Sequence, residues 1–222
     1  MSEHRLLFAK SGRARYISHL DLMRTFQRAF LRAEVPIRHT EGFNPHAFVS
    51  IALPLSVGYS SDCELLDFTL LNGVEEGRVP GRLNAVMPEG ILIRDCYRAE
   101  RPIKELVWLD WDVNLEYDGG VPAGGADALR ELLSRPSLVV RKRSKKAKSG
   151  FTEVDLIPRI RSFWLSEGKG GLSLRAVLSA QNPGLNPELI LSALGEEHPE
   201  LAPDFARFHR REALDGEGGV FR

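Results

Sequence analysis

Two short segments near the start of the chain gather residue types able to hold anions or move protons. The first, KSGRARYISHLD at residues 10–21, sets Lys10, Arg13, Arg15, Tyr16 and His19 around one glycine. The second, EGFNPH at residues 41–46, places Phe43, Asn44 and His46 around a glycine and a proline. Residues 1–46 hold four of the six histidines, and eight Lys or Arg against four Asp or Glu, a local excess of four. The whole chain has 30 basic and 30 acidic residues and nets to zero, so only this local asymmetry speaks about partners. A surface that need only stay solvated requires no such grouping, whereas an anion-binding or catalytic surface does.

Residues 12–19 run into the N-terminus of a predicted helix, where free N–H groups and the helix dipole receive an anion. The spacing is not that of a phosphate-cradling Walker motif. Along that helix Arg24, Arg28 and Arg32 stand at i, i+4 and i+8, a repulsive spacing that only Asp21, three residues before Arg24, relieves locally. The stripe reads either as a solvated face or as a grip for phosphates or carboxylates. In GFNPH the glycine permits an unusual backbone angle and the proline removes a ladder donor, so a bulge that re-aims Asn44 and His46 is expected. His19, His39 and His46 with Asp21 lack the spacing of a dedicated metal site, and no metal is expected. His19, His46 and Tyr16 are the candidate catalytic residues, for a metal-independent phosphodiester cleavage that Lys10 could assist. Farther along, RKRSKKAK at residues 141–148 reads as an exposed basic loop for an acidic partner. Phe163 and Trp164, after Arg159 and Arg161, offer an aromatic surface nearby but read more simply as core, and Trp108 and Trp111 read as core or interface residues.

The elements that must position these residues follow from periodicity and punctuation. Strands are expected at residues 5–9, 37–40, 47–53, 64–71 and 91–97. A helix at 19–33 is capped by Ser18 and Asp21, with Leu22, Met23, Phe26, Ala29 and Phe30 on one face. A second helix is expected at 74–86. Read as βαββαβ, this order predicts a ferredoxin-like first domain over residues 1–100. A looser repeat follows over 105–196: strands at 107–117 and 137–143, a helix at 126–134, a hairpin of 157–165 with 172–180, and a helix capped by Asn186 and closed by Gly195. The expected fold class is therefore α+β, with two such sandwiches in tandem and a fraying tail at 197–222.

At 222 residues, 43% apolar and 27% charged, the chain has the size and composition of one large or two small globular domains. Cys63 and Cys96 are too few for a disulfide framework and lack metal-site spacing; both read as semi-buried thiols. The sequence contains no apolar run of the ~20 residues that span a bilayer, and its first residues lack a signal-peptide pattern, so a cytoplasmic location is expected.

The segments KSGRARYISHLDLMR, EGFNPH and ALPLSVG (residues 52–58) resemble the radical-SAM-linked domain family of unknown function. The resemblance extends to TEVD at 152–155 and NPE at 186–188, and departs from the family at Ala47, where a second proline or a basic residue is expected. It implies a bacterial protein working with a radical S-adenosylmethionine enzyme in trans, in an RNA- or ribosome-related setting, and supplies no established activity. This chain has no three-cysteine cluster, so the iron–sulfur cluster and S-adenosylmethionine would be carried by the partner, with no cofactor on this chain. A fold-level analogy connects tandem ferredoxin-like domains to endonucleases that process CRISPR transcripts. The expected role is a non-catalytic recognition protein. In it Lys10, Arg13, Arg15, Arg24, Arg28 and Arg32 contact phosphates, Tyr16 and Phe43 stack on bases, and Asn44 and His46 read them. A metal-independent endoribonuclease or nucleotide-processing enzyme using His19 and His46, and a protein–protein scaffold, are the rival expectations.

Overall fold

Apolar residues alternate or recur every third or fourth position through most of the chain, and the computed structural model shows them buried as that patterning requires. It describes residues 3–71, 73–143 and 150–222. The chain divides into two compact units: Met1–Glu105 with His209–Glu212 and Val220–Arg222, and Leu106–Phe208 with Ala213–Gly219. Both are mixed α and β, and the class is α+β.

The first unit contains β1 (His4–Lys10), α1 (His19–Arg32), β2 (Val49–Ala52), β3 (Ser60–Phe68), α2 (Val79–Asn84) and β4 (Ile91–Arg98). Strand β1 is antiparallel to both β3 and β4, and β2 is antiparallel to β3. Leu6 and Phe8 of β1 and Leu66 and Phe68 of β3 meet Leu22, Phe26, Ala29 and Phe30 of α1 in one core. Phe8 and Phe26 pack edge to face at 4.8 Å, an arrangement that adds about 0.5–1.5 kcal/mol to their burial. Helix α1 starts where it does because Ser18 Oγ accepts from the Asp21 N–H at 3.2 Å, satisfying an otherwise orphaned donor.

The second unit contains β5 (Trp108–Glu116), α3 (Gly125–Ser134), β6 (Val139–Arg143), β7 (Phe151–Asp155), β8 (Ile160–Gly168), β9 (Gly171–Ser179), α4 (Glu188–Glu197) and the remainder of β10 (Phe205–Leu214). Strands β5, β9 and β8 form an antiparallel sheet in that order, and β6 and β7 form a separate pair. Val113, Leu115, Leu172, Leu174, Ala176 and Leu178 are buried on one face of the sheet, while Asn114, Ser173 and Arg175 alternate with them and are exposed. Gly171 is obligatory at its turn, because a Cβ there would lie 2.5 Å from the Leu115 carbonyl oxygen.

Several expectations are corrected. Residues 197–222 do not fray: they include β10, whose His209 and Arg210 lie parallel to Ser60 and Ser61 of β3, and near their end Phe221 is at 0% exposure. The charged RFHRRE sequence concealed the strand, because its partners are some 150 residues away. The helix expected at 74–86 is reduced to α2 preceded by a 3-10 turn at Glu76–Arg78, consistent with the glycines and proline in it. The strand expected at 37–40 contributes two isolated bridges, Ile37 to Leu70 and His39 to Ala47. Strand β7 was not anticipated. Most of the basic run at 141–148 lies outside the described residues.

Candidate functional site

The KSGRARYISH segment folds as the end of β1, a 3-10 turn at Gly12–Tyr16 and the first residue of α1. Ser11 donates its N–H to the Gly90 carbonyl at 2.7 Å, and Gly90 (φ +88°) cannot be replaced without conflict, since a Cβ there would meet the Ser11 oxygen at 2.4 Å. The turn also binds the loop at residues 53–59: Arg15 O accepts from the Gly58 N–H at 2.8 Å. Its side chains diverge. Arg13 is exposed, Tyr16 is 58% exposed, and the Arg15 guanidinium sits 4.9 Å from the centroid of the Tyr16 ring, a stacked pair at the surface. His19 is exposed at the start of α1.

Lys10 corrects the expectation of a phosphate contact. It is 1% exposed, donates to the Ile17 carbonyl at 3.2 Å, and has its pKa lowered by burial against a partial counter-effect of Glu64. Glu64 is also buried, with Oε1 accepting from Arg210 Nη1 at 2.9 Å and Oε2 lacking a hydrogen-bond partner. The same Arg210 nitrogen donates to the Leu53 carbonyl at 2.9 Å, where the non-glycine residue Leu53 takes φ +49°. The buried trio Lys10, Glu64 and Arg210 thus fastens the turn at Ile17 and the loop at Leu53 from beneath. No short-range sequence signal marks Arg210.

On α1 the three arginines are exposed and differ in their partners. Arg24 pairs with Asp21 at 3.2 Å, and the Ser18 hydroxyl, followed by this pair, holds the Asp21 carboxyl below its usual pKa. Arg32 donates to the Val86 carbonyl at 3.0 Å. Arg28 makes no hydrogen bond or ion pair with any described residue.

The GFNPH segment is an exposed loop closed at its base by Thr40 N–H to His46 O at 2.8 Å and by His46 N–H to Thr40 Oγ1 at 3.1 Å. His46 Nδ1 lies 3.2 Å from both Thr40 Oγ1 and the Asn44 carbonyl, so the loop itself fixes that ring. Phe43 is wholly exposed at 105%. On the segments flanking the loop, Arg38 lies 5.6 Å over the ring of Phe48, an exposed pair without a mark in the sequence. The loop is tied to α1 through Gln27 Nε2, which donates to the Ala47 carbonyl at 3.3 Å. Between them an apolar groove of about 360 Å³ is lined by Phe30, Leu31, Val35, Ile37, His39 and Ala47. The side chains of Lys10, Tyr16, His19, Arg24, Asn44 and His46 do not line it. The His46 ring is hydrogen-bonded within its own loop and not to His19, and among the described residues no group of three His, Cys, Asp or Glu that could hold a metal ion occurs.

In the second unit Trp164 is 56% exposed, not core as expected, whereas Trp111 is buried at 3%. Cys63 and Cys96 are buried, and burial pushes each thiol up to about 12. Among the described residues no helix is long and apolar enough to cross a membrane.

A family profile described as "Uncharacterized protein conserved in bacteria (DUF2344)" matches residues 4–187. No curated protein matches the chain. Among solved structures, the chain is similar to one in a Cbf5–Nop10–Gar1 complex, at 9% identity and TM-score 0.54, covering 96% of this chain and 49% of that one. A chain of the archaeal box H/ACA sRNP Nop10–Cbf5 complex matches at 10% identity and TM-score 0.46, over 94% of this chain and 47% of that one. This chain therefore spans about half the length of those solved chains. At such identity the first likeness shows the fold alone.

Proposed function

The chain belongs to the DUF2344 family of uncharacterised bacterial proteins, and from that premise we propose that it is an accessory RNA-binding protein serving a radical S-adenosylmethionine enzyme. One observation supports the RNA half of this reading most directly: the elements of the two N-terminal motifs each leave aromatic rings or guanidiniums in solvent. Tyr16 and Phe43 offer flat apolar faces to solvent, and Arg13, Arg24 and Arg28 are exposed on the same unit. Rings stack on unpaired bases, and guanidiniums neutralise phosphates. The turn and the loop that present them are fastened to the fold by backbone hydrogen bonds and by Gln27, so little ordering entropy remains to be lost on binding.

The radical S-adenosylmethionine half rests on the sequence resemblance. Both cysteines are buried protonated thiols, which supports assigning the iron–sulfur centre to the partner. The strand pairings β4-β1-β3-β2 in the first unit and β10-β5-β9-β8 in the second support reading each as a ferredoxin-like sandwich.

Fluorescence anisotropy with a labelled single-stranded RNA at several salt concentrations tests the proposal. Affinity is expected to fall steeply with salt, and Arg24→Ala/Arg28→Ala to weaken binding about tenfold and flatten the salt slope by up to two contacts. Arg24 contributes little to the fold, because its pair with Asp21 is exposed. Salt-independent affinity, or unchanged binding by the double variant, counts against the reading. RNA cleavage in chelator that disappears in His46→Ala would replace it with an enzyme.

A further inference from the structure

We infer that the outward face of the second unit's sheet, centred on Trp164 and Arg175, is a stacking platform for unpaired bases of single-stranded RNA. This rests on the reading of the chain as an RNA binder and adds a second contact region, built on different elements from the N-terminal motifs. In the ladder of β5, β9 and β8, Asp112, Arg175 and Trp164 stand opposite one another in one cross-strand row; Asn114, Ser173 and Ser166 form the next. These residues project from the face opposite the buried Val113, Leu174 and Ala176.

The indole is held in place as well as exposed. The Arg175 guanidinium lies 5.6 Å from the Trp164 ring centroid, and is itself clamped by the carboxylate of Asp110, Nε to Oδ1 at 3.1 Å and Nη2 to Oδ2 at 2.7 Å. Asp110 is 5% exposed, so this clamp is anchored in the sheet. A ring fixed on strands, backed by a fixed cation, gives up little rotamer freedom when a base stacks on it. Beside it the Ser173 hydroxyl donates to Asn114 Oδ1 at 2.9 Å, which orients the amide so that its NH₂ end is the donor presented. Trp164, Asn114, Ser166, Ser173, Arg175 and Asp112 border a cleft of about 230 Å³, smaller than pockets that enclose drug-sized ligands. Its size suits one planar ring whose edge meets a hydroxyl or an amide.

Chemistry narrows the occupant further. Asp110 and Asp112 offset the charge of Arg175, so the row is a poor phosphate grip. A single exposed indole in a polar surround is also too small an apolar area for the core of a protein interface. An open sheet face with an aromatic ring and hydrogen-bonding neighbours is a physical solution for holding splayed bases.

The test uses the full chain, a labelled single-stranded RNA, and a ribose-phosphate oligomer of equal length lacking bases. Trp164→Ala is expected to weaken RNA binding roughly tenfold without changing the salt slope, Trp164→Phe to restore most of the affinity, and the base-free oligomer to bind wild type and Trp164→Ala equally. Equal RNA affinity of wild type and Trp164→Ala overturns the platform. If Arg24→Ala/Arg28→Ala still weakens binding in that case, the RNA reading survives and only this face is wrong; if no variant or wild type binds RNA, both fail. Loss of capture of a radical S-adenosylmethionine enzyme by Trp164→Ala, with RNA binding intact, also overturns it in favour of a protein-docking face.

Discussion

Lys10 ends β1 with its ammonium beneath the chain, donating to the Ile17 carbonyl, while Arg28 stands on the outer face of α1 with no described partner. Residue type alone does not separate them; burial does. The cost of keeping Lys10 charged is full below its lowered pKa, fades as pH rises through that value, and is gone above 10.5, where the unfolded chain also loses that proton. The cysteines act in the opposite direction at high pH. Cys63 has its thiol raised from 9.0 to about 12 by burial, so its contribution to stability is whole below pH 9.0 and is lost as pH climbs through about 12. Stability measured by urea unfolding is therefore expected to decline above pH 9, and less steeply in Cys63→Ala. Thiol-specific reagents at neutral pH are expected to leave both cysteines unmodified until denaturant is added, and rapid labelling of the native protein would contradict the burial.

At the level of elements, the sequence signals that succeeded are the ones whose physics is local. Ser18 and Asp21 mark the start of α1 because the cap hydrogen bond spans three residues, and the apolar face of α1 is legible because its period is intrinsic to the helix. Ser18→Ala is expected to cost about 1 kcal/mol in equilibrium unfolding, with the fold retained. Local signals misled where tertiary pairing decided. The segment at 37–40 carries the β-branched Ile37 and Thr40 of a strand, yet forms single bridges to Leu70 and Ala47 and becomes the base of the exposed loop. The loop's chemistry, with Phe43 in solvent and His46 fixed by Thr40, depends on that interruption.

For the whole molecule, the C-terminal residues are the main reversal. Arg210 returns to the first unit and meets Glu64, and Phe221 is buried with the guanidiniums of Arg5 and Arg101 at 5.3 and 5.0 Å from its ring centroid. Arg210→Met keeps much of the side-chain volume but removes the cation from a fully buried carboxylate. A loss of about 3 kcal/mol is expected in thermal or urea unfolding, because an uncompensated buried charge costs more than the pair contributed. Adding Glu64→Gln should recover part of it. A near-neutral Arg210→Met would mean that the Lys10 ammonium already compensates Glu64.

From the amino-acid order by itself came the α+β class, α1 with its cap, most strands of both units, and the two N-terminal segments as the place to look. These depend on periodicity, capping and turn residues, whose interactions reach only a few positions along the chain. Only the tertiary structure decided that Lys10 is interior, that His209 and Arg210 pair with β3, and that Trp164 faces water beside Arg175. Each depends on tertiary partners: Glu64 and Arg210 about Lys10, Ser60 and Ser61 beside His209 and Arg210, and the Asp110-clamped Arg175 beside Trp164. A charged or aromatic side chain carries no local mark of whether such a partner will cover it.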